Sequence, residues 1–343
     1  MLVVRSRDAH REEIEERVTM ALNAKFISAR LRRAALATAF AGLVALAAGG
    51  EVLAGPEQKT FASPTQAAQA LADALSANDT QSAEAILGPQ GEKLLHSGDA
   101  VADRNAAQRF LRAYAKQHRL EQQSEAMAIL HVGEQDWPFP IPLVRKNGAW
   151  LFDTAAGANE ILNRRIGRNE LNAIQVCLAV VDAQREYAST DHDGSGVRAF
   201  ARRLVSTPGK KDGLYWPSGS GEPPSPLGPL VARAADEGYP TSAPAGKRVP
   251  YHGYYYKMLT GQGPDANGGA YDYLVESRMV GGFALVAYPA RYKVSGIMTF
   301  IVNHDGTVYE KDLGQDTSEL AVSTTSFNPD QTWHRVPAPA GDH

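Results

Sequence analysis

Cysteine is almost missing from this sequence: 343 residues contain one, Cys177. That excludes an internal disulfide and any zinc or iron–sulfur centre built from several thiolates. Neither sign of charge is in excess. Lys and Arg number 35 against 38 Asp and Glu, a formal net charge of -3, so the chain as a whole presents no basic field for nucleic acid and no acidic tail. Long hydrophobic runs are also lacking. The uncharged stretch from Ala34 to Gly50 is rich in Ala and Gly and falls short of the roughly 20 apolar residues of a stable span. No G-x-S-x-G, no H-E-x-x-H and no phosphate-binding loop occurs, so no reaction can be read from a motif.

What is present belongs to a folded chain: 43% hydrophobic and 21% charged residues. Lys25, Arg30, Arg32 and Arg33 precede the Ala34–Gly50 run, and Val52-Leu53-Ala54 places small or apolar residues at the -3 and -1 positions of a signal-peptidase site. This is the layout of a secretory signal, with cleavage expected after Ala54, a periplasmic or secreted location and no membrane span afterwards; an uncleaved anchor is the rival reading. Residues 1–19 mix both charges, unlike a short basic n-region, which makes Met20 a candidate start.

Ser63-Pro64-Thr65-Gln66 carries the signature of a helix start, and Ala67, Ala70, Leu71, Ala74 and Leu75 follow at helical spacing. Asp79 is placed to cap a second short helix, and a third is expected over Asn105–His118. Strands are expected at Ala126–Val132, Phe139–Val144 and Trp150–Phe152, with Asn147-Gly148 as a hairpin turn. Helices followed by an antiparallel sheet give an α+β order over about 60–155, similar in layout to the cone of nuclear-transport-factor-2-like (NTF2-like) domains. One long helix is expected over about 158–187, with Cys177 on its apolar face. A short amphipathic helix with Phe200, Leu204 and Val205 follows, then a Gly/Pro/Ser-rich stretch over 206–229. A long helix packed on an antiparallel sheet is the simplest architecture for 158–335.

The phrases Asp136-Trp-Pro-Phe-Pro-Ile-Pro142, Asn169-Glu-Leu-Asn-Ala-Ile174, Asp212-Gly-Leu-Tyr-Trp-Pro217, His252-Gly-Tyr-Tyr-Tyr-Lys257, Gly282-Phe-Ala-Leu-Val-Ala-Tyr-Pro289 and Gly296-Ile-Met-Thr-Phe300 resemble the bacterial exported family called domain of unknown function 2950. The resemblance spans most of 60–335 and implies export but no activity. The second half is also similar to type IV pilin and pseudopilin headgroups. It departs from them in lacking the apolar half-helix: Asn163, Arg164, Arg165 and Arg168 stand where that stem would lie.

Two constellations are candidate sites. Asp191, Asp193 and Ser195 alternate across a loop with glycine at its sixth position, as a calcium loop requires, although Arg202 stands where a bidentate Glu belongs; the other reading is a polar turn. Tyr215, Trp216, Tyr251, Tyr254, Tyr255 and Tyr256 form an aromatic concentration whose outer side is suited to an envelope protein, peptide or glycan, or which packs beneath the 206–229 stretch. The expectation is an exported, non-enzymatic binding or assembly module, with a structural calcium ion as the one candidate cofactor. The alternative is a hydrolase or isomerase using a pocket in the N-terminal cone.

Overall fold

The computed structural model describes residues 58–219, 221–241 and 248–337. The expected signal segment and its cleavage point lie outside the described residues. Helix α1 (Pro64–Ser76) begins as its sequence indicates, with the Ser63 hydroxyl accepting the Gln66 amide. Helix α2 (Thr80–Leu87) is capped by Asp79, which accepts the Ser82 amide at 3.0 Å. After a 3₁₀ turn and α3 (Gly91–Leu95) comes α4 (Ala100–Lys116), which starts five residues before the expected Asn105. Asp99 makes the difference: its Oδ1 accepts the Val101 and Ala102 amides.

Five strands follow: β1 (His118–Ser124), β2 (Met127–Val132), β3 (Trp137–Pro138), β4 (Leu143–Lys146) and β5 (Ala149–Phe152). They pair antiparallel in the order β1-β2-β4-β5, with β3 on β2. Asn147 and Gly148, both at positive φ, form the β4–β5 turn. Leu71, Ile86, Leu143 and Phe152 close the core between helices and sheet; each such side chain contributes about 1.5–3 kcal/mol by leaving water.

Helix α5 (Thr154–Tyr187) is 34 residues long, about 51 Å at 1.5 Å per residue. Its first turns pack on the N-terminal core through Ala158, and Gly157 permits this, since a Cβ there would lie 2.2 Å from the Pro140 carbonyl oxygen. Its second half, through Ala173, Cys177, Val180 and Val181, covers a five-stranded antiparallel sheet. That sheet orders β17 (His334–Arg335), β15 (Val308–Asp312), β14 (Met298–Asn303), β13 (Ala284–Pro289) and β8 (Tyr254–Leu259). Smaller ladders are β6 (Arg203–Val205) with β7 (Gly213–Tyr215), β9 (Gly261–Gln262) with β10 (Tyr271–Asp272) and β16 (Ser326–Phe327), and β11 (Leu274–Val275) with β12 (Arg278–Met279). Helix α6 (Gly228–Asp236) and helix α7 (Thr317–Ser323) complete the α+β fold. The amphipathic helix expected around Leu204 is not formed. Arg203–Val205 pairs in parallel with β7 instead, because Leu214 and Trp216 bury beside it and draw the segment into a ladder. Cys177 is fully buried, and burial pushes its thiol up to about 12. Among the described residues no helix is long and apolar enough to cross a membrane.

Between the two cores lies a seam of polar contacts. Asp99, 1% exposed, accepts the Tyr239 hydroxyl and the Gly253 amide on Oδ2, both at 2.9 Å. Asn169 donates to the Ser295 carbonyl at 2.9 Å, and Glu170 accepts the Ile297 and Met298 amides. Asn105 donates to the Glu237 carbonyl, and Arg291 reaches back to Glu92 and the His96 carbonyl. Gly253 sits at φ 76 with Asn169 Nδ2 2.4 Å from where a Cβ would be, so the approach of α5 to this turn needs glycine.

Replacing Asp99 by Asn puts an amide donor against the Gly253 N–H or the capped α4 amides. Asp99→Asn is therefore expected to cost about 2–4 kcal/mol, whereas Tyr239→Phe, which removes one donor from the carboxylate and the acceptor of the His252 amide but leaves the carboxylate three amides, costs about 1–2 kcal/mol. Denaturant midpoints of the two variants check this; equal midpoints would show that Asp99 is not the joint.

Candidate functional site: an apolar cavity with an arginine-lined wall

A partly open cavity of about 530 Å³ is bordered by α1, α2, α3 and α4, with the start of α5 and the Phe139–Ile141 segment as its floor. That is within the usual range of small-molecule sites, about 300–1,000 Å³. Leu71, Leu75, Leu87, Leu94, Phe110 and Ile161 make most of the wall. It exists because α1 and α4 present alanines (Ala74, Ala106, Ala107) where they face each other, so the helices stand apart without larger side chains to fill the gap.

The polar groups of the wall are gathered beside the seam. Arg165 donates to the Lys93 and Leu94 carbonyls, with Nη1 to the Lys93 oxygen at 2.9 Å. Arg291 is paired with Glu92 at 2.8 Å. Asp103 accepts the Ser97 amide at 2.9 Å, and burial raises its carboxyl above the ordinary aspartate range. His96 pairs with Glu84 at 2.9 Å on the outside. Asp79 also lines the cavity, with its carboxylate engaged in capping α2. Asp79, Asp103, His96, Arg165 and Arg291 are thus each held by the backbone or by a partner, and none of them is left as an acid–base pair.

An unbalanced row of arginines leads away from this wall. Ile161, Arg165 and Arg168 share one face of α5 by spacing; Asn105, Arg109 and Arg112 share one face of α4. Arg104, Arg109, Arg112 and Arg168 are exposed and Arg165 is half-buried; crowding by protein atoms and by neighbouring guanidiniums lowers the pKa of Arg109 and Arg168, while for Arg165 desolvation and Arg291 act in that direction and Asp103 opposes them. Among the described residues no carboxylate lies within 4.0 Å of Arg104, Arg109, Arg112, Arg165 or Arg168. A net charge of -3 hides this row, because charges elsewhere cancel it; the arginines at helical spacing in α4 and α5 were the readable signal.

The six aromatic candidates do not form an exposed surface. Tyr254 is fully buried and donates to the Met298 carbonyl at 2.9 Å, and Trp216 is 9% exposed. Tyr215, Tyr251, Tyr255 and Tyr256 are half-buried against the C-terminal core. The His252-Gly253 turn, both residues at positive φ, separates Tyr251 from β8 and breaks the strand alternation that would have turned one side outward. Tyr251 stacks edge-on to Tyr239 instead, and Arg248 lies over Tyr255.

In the Asp191–Gly196 loop the carboxylates serve the backbone. Asp191 accepts the amides of Asp193, Gly194 and Gly196, and Asp193 accepts that of Ser195 at 3.1 Å. The Arg278 guanidinium stands 3.4 Å from Asp193 Oδ2, and His192 stacks on Tyr187. Among the described residues no three acidic, histidine or cysteine side chains are grouped to hold a metal ion. His118 stacks on Tyr114 at 3.9 Å, and His131 lies between Glu121 and Asp136, both away from the cavity.

Two outcomes follow. Because a guanidinium already faces Asp193, the melting point is expected to be the same in excess calcium and in chelator, with Asp191→Ala lowering it slightly and equally in both. A calcium-dependent rise lost in Asp191→Ala would make the loop a cation site. His252 faces Glu237, Asp99, Arg168, Arg233, Tyr239 and Tyr251, and burial depresses it from its usual 6.5 to about 4. The unfolded chain therefore takes up a proton between these pH values that the folded chain refuses, and stability falls as pH drops from about 6.5 to 4. His252→Asn, which suits the turn's positive φ, should flatten that part of the stability–pH curve; parallel curves would show that His252 is not held neutral.

No curated protein and no solved structure matches the chain. A family model does match, over residues 58–336, which is most of the chain and takes in both cores, the seam and the cavity; the protein belongs to the family described as "Protein of unknown function (DUF2950)".

Proposed function

We propose that this protein is a non-enzymatic binding module exported to the cell envelope, and that its cavity between α1, α2, α3 and α4 takes a small apolar ligand. One observation carries the reading: a pocket of about 530 Å³, partly open to solvent, walled mainly by Leu, Ala and Phe side chains. An apolar wall of this extent that faces water is stabilised when an apolar ligand covers it. Export is supported by the basic, apolar and small-residue succession before Gly55. Binding rather than reaction is supported by the state of the wall's titratable groups, since Asp103, His96, Arg291 and Asp79 are each committed to a structural partner.

The test uses N-phenyl-1-naphthylamine, an uncharged apolar fluorophore, titrated into the full-length chain. Saturable enhancement at one site per chain, displaced by dodecanol, is the expected result. Ala107→Trp, which fills the cavity from α4, should abolish it while the melting point stays within a few degrees of the parent. Absence of saturable binding in the parent, or undiminished binding in a folded Ala107→Trp, overturns the reading.

A further inference from the structure

The reading of the cavity as an apolar ligand site leaves the arginine row unexplained, and the inference that follows rests on that reading. Arg165 is common to both features. Its stem lines the cavity one turn beyond Ile161, and Arg168 continues the same face of α5 outward toward Arg109 and Arg112 of α4. Arg104 lines the cavity from the other side. A row of like charges raises the energy of the folded chain, and an anion would relieve it; Arg104, Arg109, Arg112 and Arg168 are exposed, so an anion can reach them from water. Arg165 spends donors on the Lys93 and Leu94 carbonyls, which orient it, and Asp103 offsets part of its charge without forming an ion pair with it. The acidic groups nearby are accounted for: Glu92 is held by Arg291, Asp79 by the α2 cap, and Asp103 by the Ser97 amide.

We infer that the ligand is an anionic amphiphile, with its apolar chain in the cavity and a phosphate or carboxylate head on the Arg165–Arg168–Arg109 row. The guanidinium fork matches both head groups in two-point geometry. The row reaches beyond the cavity's edge, so a charged head stays in contact with water while the chain is buried. An uncharged molecule of the same length would leave the row as it is, and a cationic one would meet repulsion.

Isothermal titration of the full-length chain at low salt, below micelle formation, compares dodecyl phosphate, dodecanoate, dodecanol, dodecyltrimethylammonium and inorganic phosphate. Dodecyl phosphate and dodecanoate are expected to bind at least tenfold more tightly than dodecanol, with dodecyltrimethylammonium weaker still and inorganic phosphate undetectable. The ratio between the two anions identifies which head the row prefers. Arg109→Gln/Arg168→Gln, which removes charges that make no hydrogen bond among the described residues, should bring the anions to within about twofold of dodecanol while leaving dodecanol itself unchanged. Equal binding of dodecanol and the anions by the parent, or no effect of the double variant, overturns the head-group assignment and leaves the cavity reading standing. Inorganic phosphate binding as tightly as dodecyl phosphate makes the row a free-anion site and overturns the amphiphile. Failure of every chain-bearing probe overturns the cavity reading itself.

Discussion

A carboxylate that is 1% exposed has to be completely hydrogen-bonded, and Asp99 meets that condition only when both halves of the protein are in place. Two of its four partners, the Val101 and Ala102 amides, come from the helix it caps; the other two, the Tyr239 hydroxyl and the Gly253 amide, come from 140 and 154 residues away. Without the C-terminal half the carboxylate keeps only the two amides of its own helix. The local act of starting α4 and the long-range act of joining the cores are therefore one interaction. It works with α5, whose two halves belong to different cores and whose Asn169 and Glu170 bind the Ser295–Met298 segment directly.

The cavity inherits its shape from this joint. Its wall is mostly N-terminal, yet Arg291 reaches it from the loop after β13 and is fixed by Glu92 and the His96 carbonyl. Asp103, four residues past Asp99 on the same helix face, takes the Ser97 amide and holds the chain leading into the cap. The polar end of the cavity is thus made of groups whose first duty is to the seam. That duty explains why they are well positioned without forming a reactive pair.

Local features were legible from the sequence and distant ones were not. Ser63 and Asp79 act as caps because a cap needs only its next three residues. The Asn147-Gly148 turn and the long helix with buried Cys177 are equally local, the first set by φ preference and the second by apolar spacing. Asp99 was passed over as the start of α4 because its other two partners lie far along the chain. β1 was missed because His118–Ser124 has one apolar residue and is held as a strand by its ladder to β2. Leu204 and Val205 were misassigned to a helix because a three-residue parallel ladder leaves no periodicity to detect.

The site was harder to read for a further reason: a cavity is made of residues that are too small, and small residues announce nothing. Ala74, Ala106 and Ala107 read as ordinary helix formers, and only the facing of α1 and α4 turns them into space. The arginine row has the opposite problem. Its members are conspicuous, but a cation on a helix usually faces water and a stray acid, and the sequence does not show which helix faces which. Here α4 and α5 both border the cavity, so two modest basic stripes bring their charge to its edge. The row's inner end, Arg165, is also part of the cavity wall. A tightly organised joint that leaves space and positive charge adjacent, with the nearby acids already engaged, is the physical ground for expecting a ligand that brings both an apolar chain and a negative head.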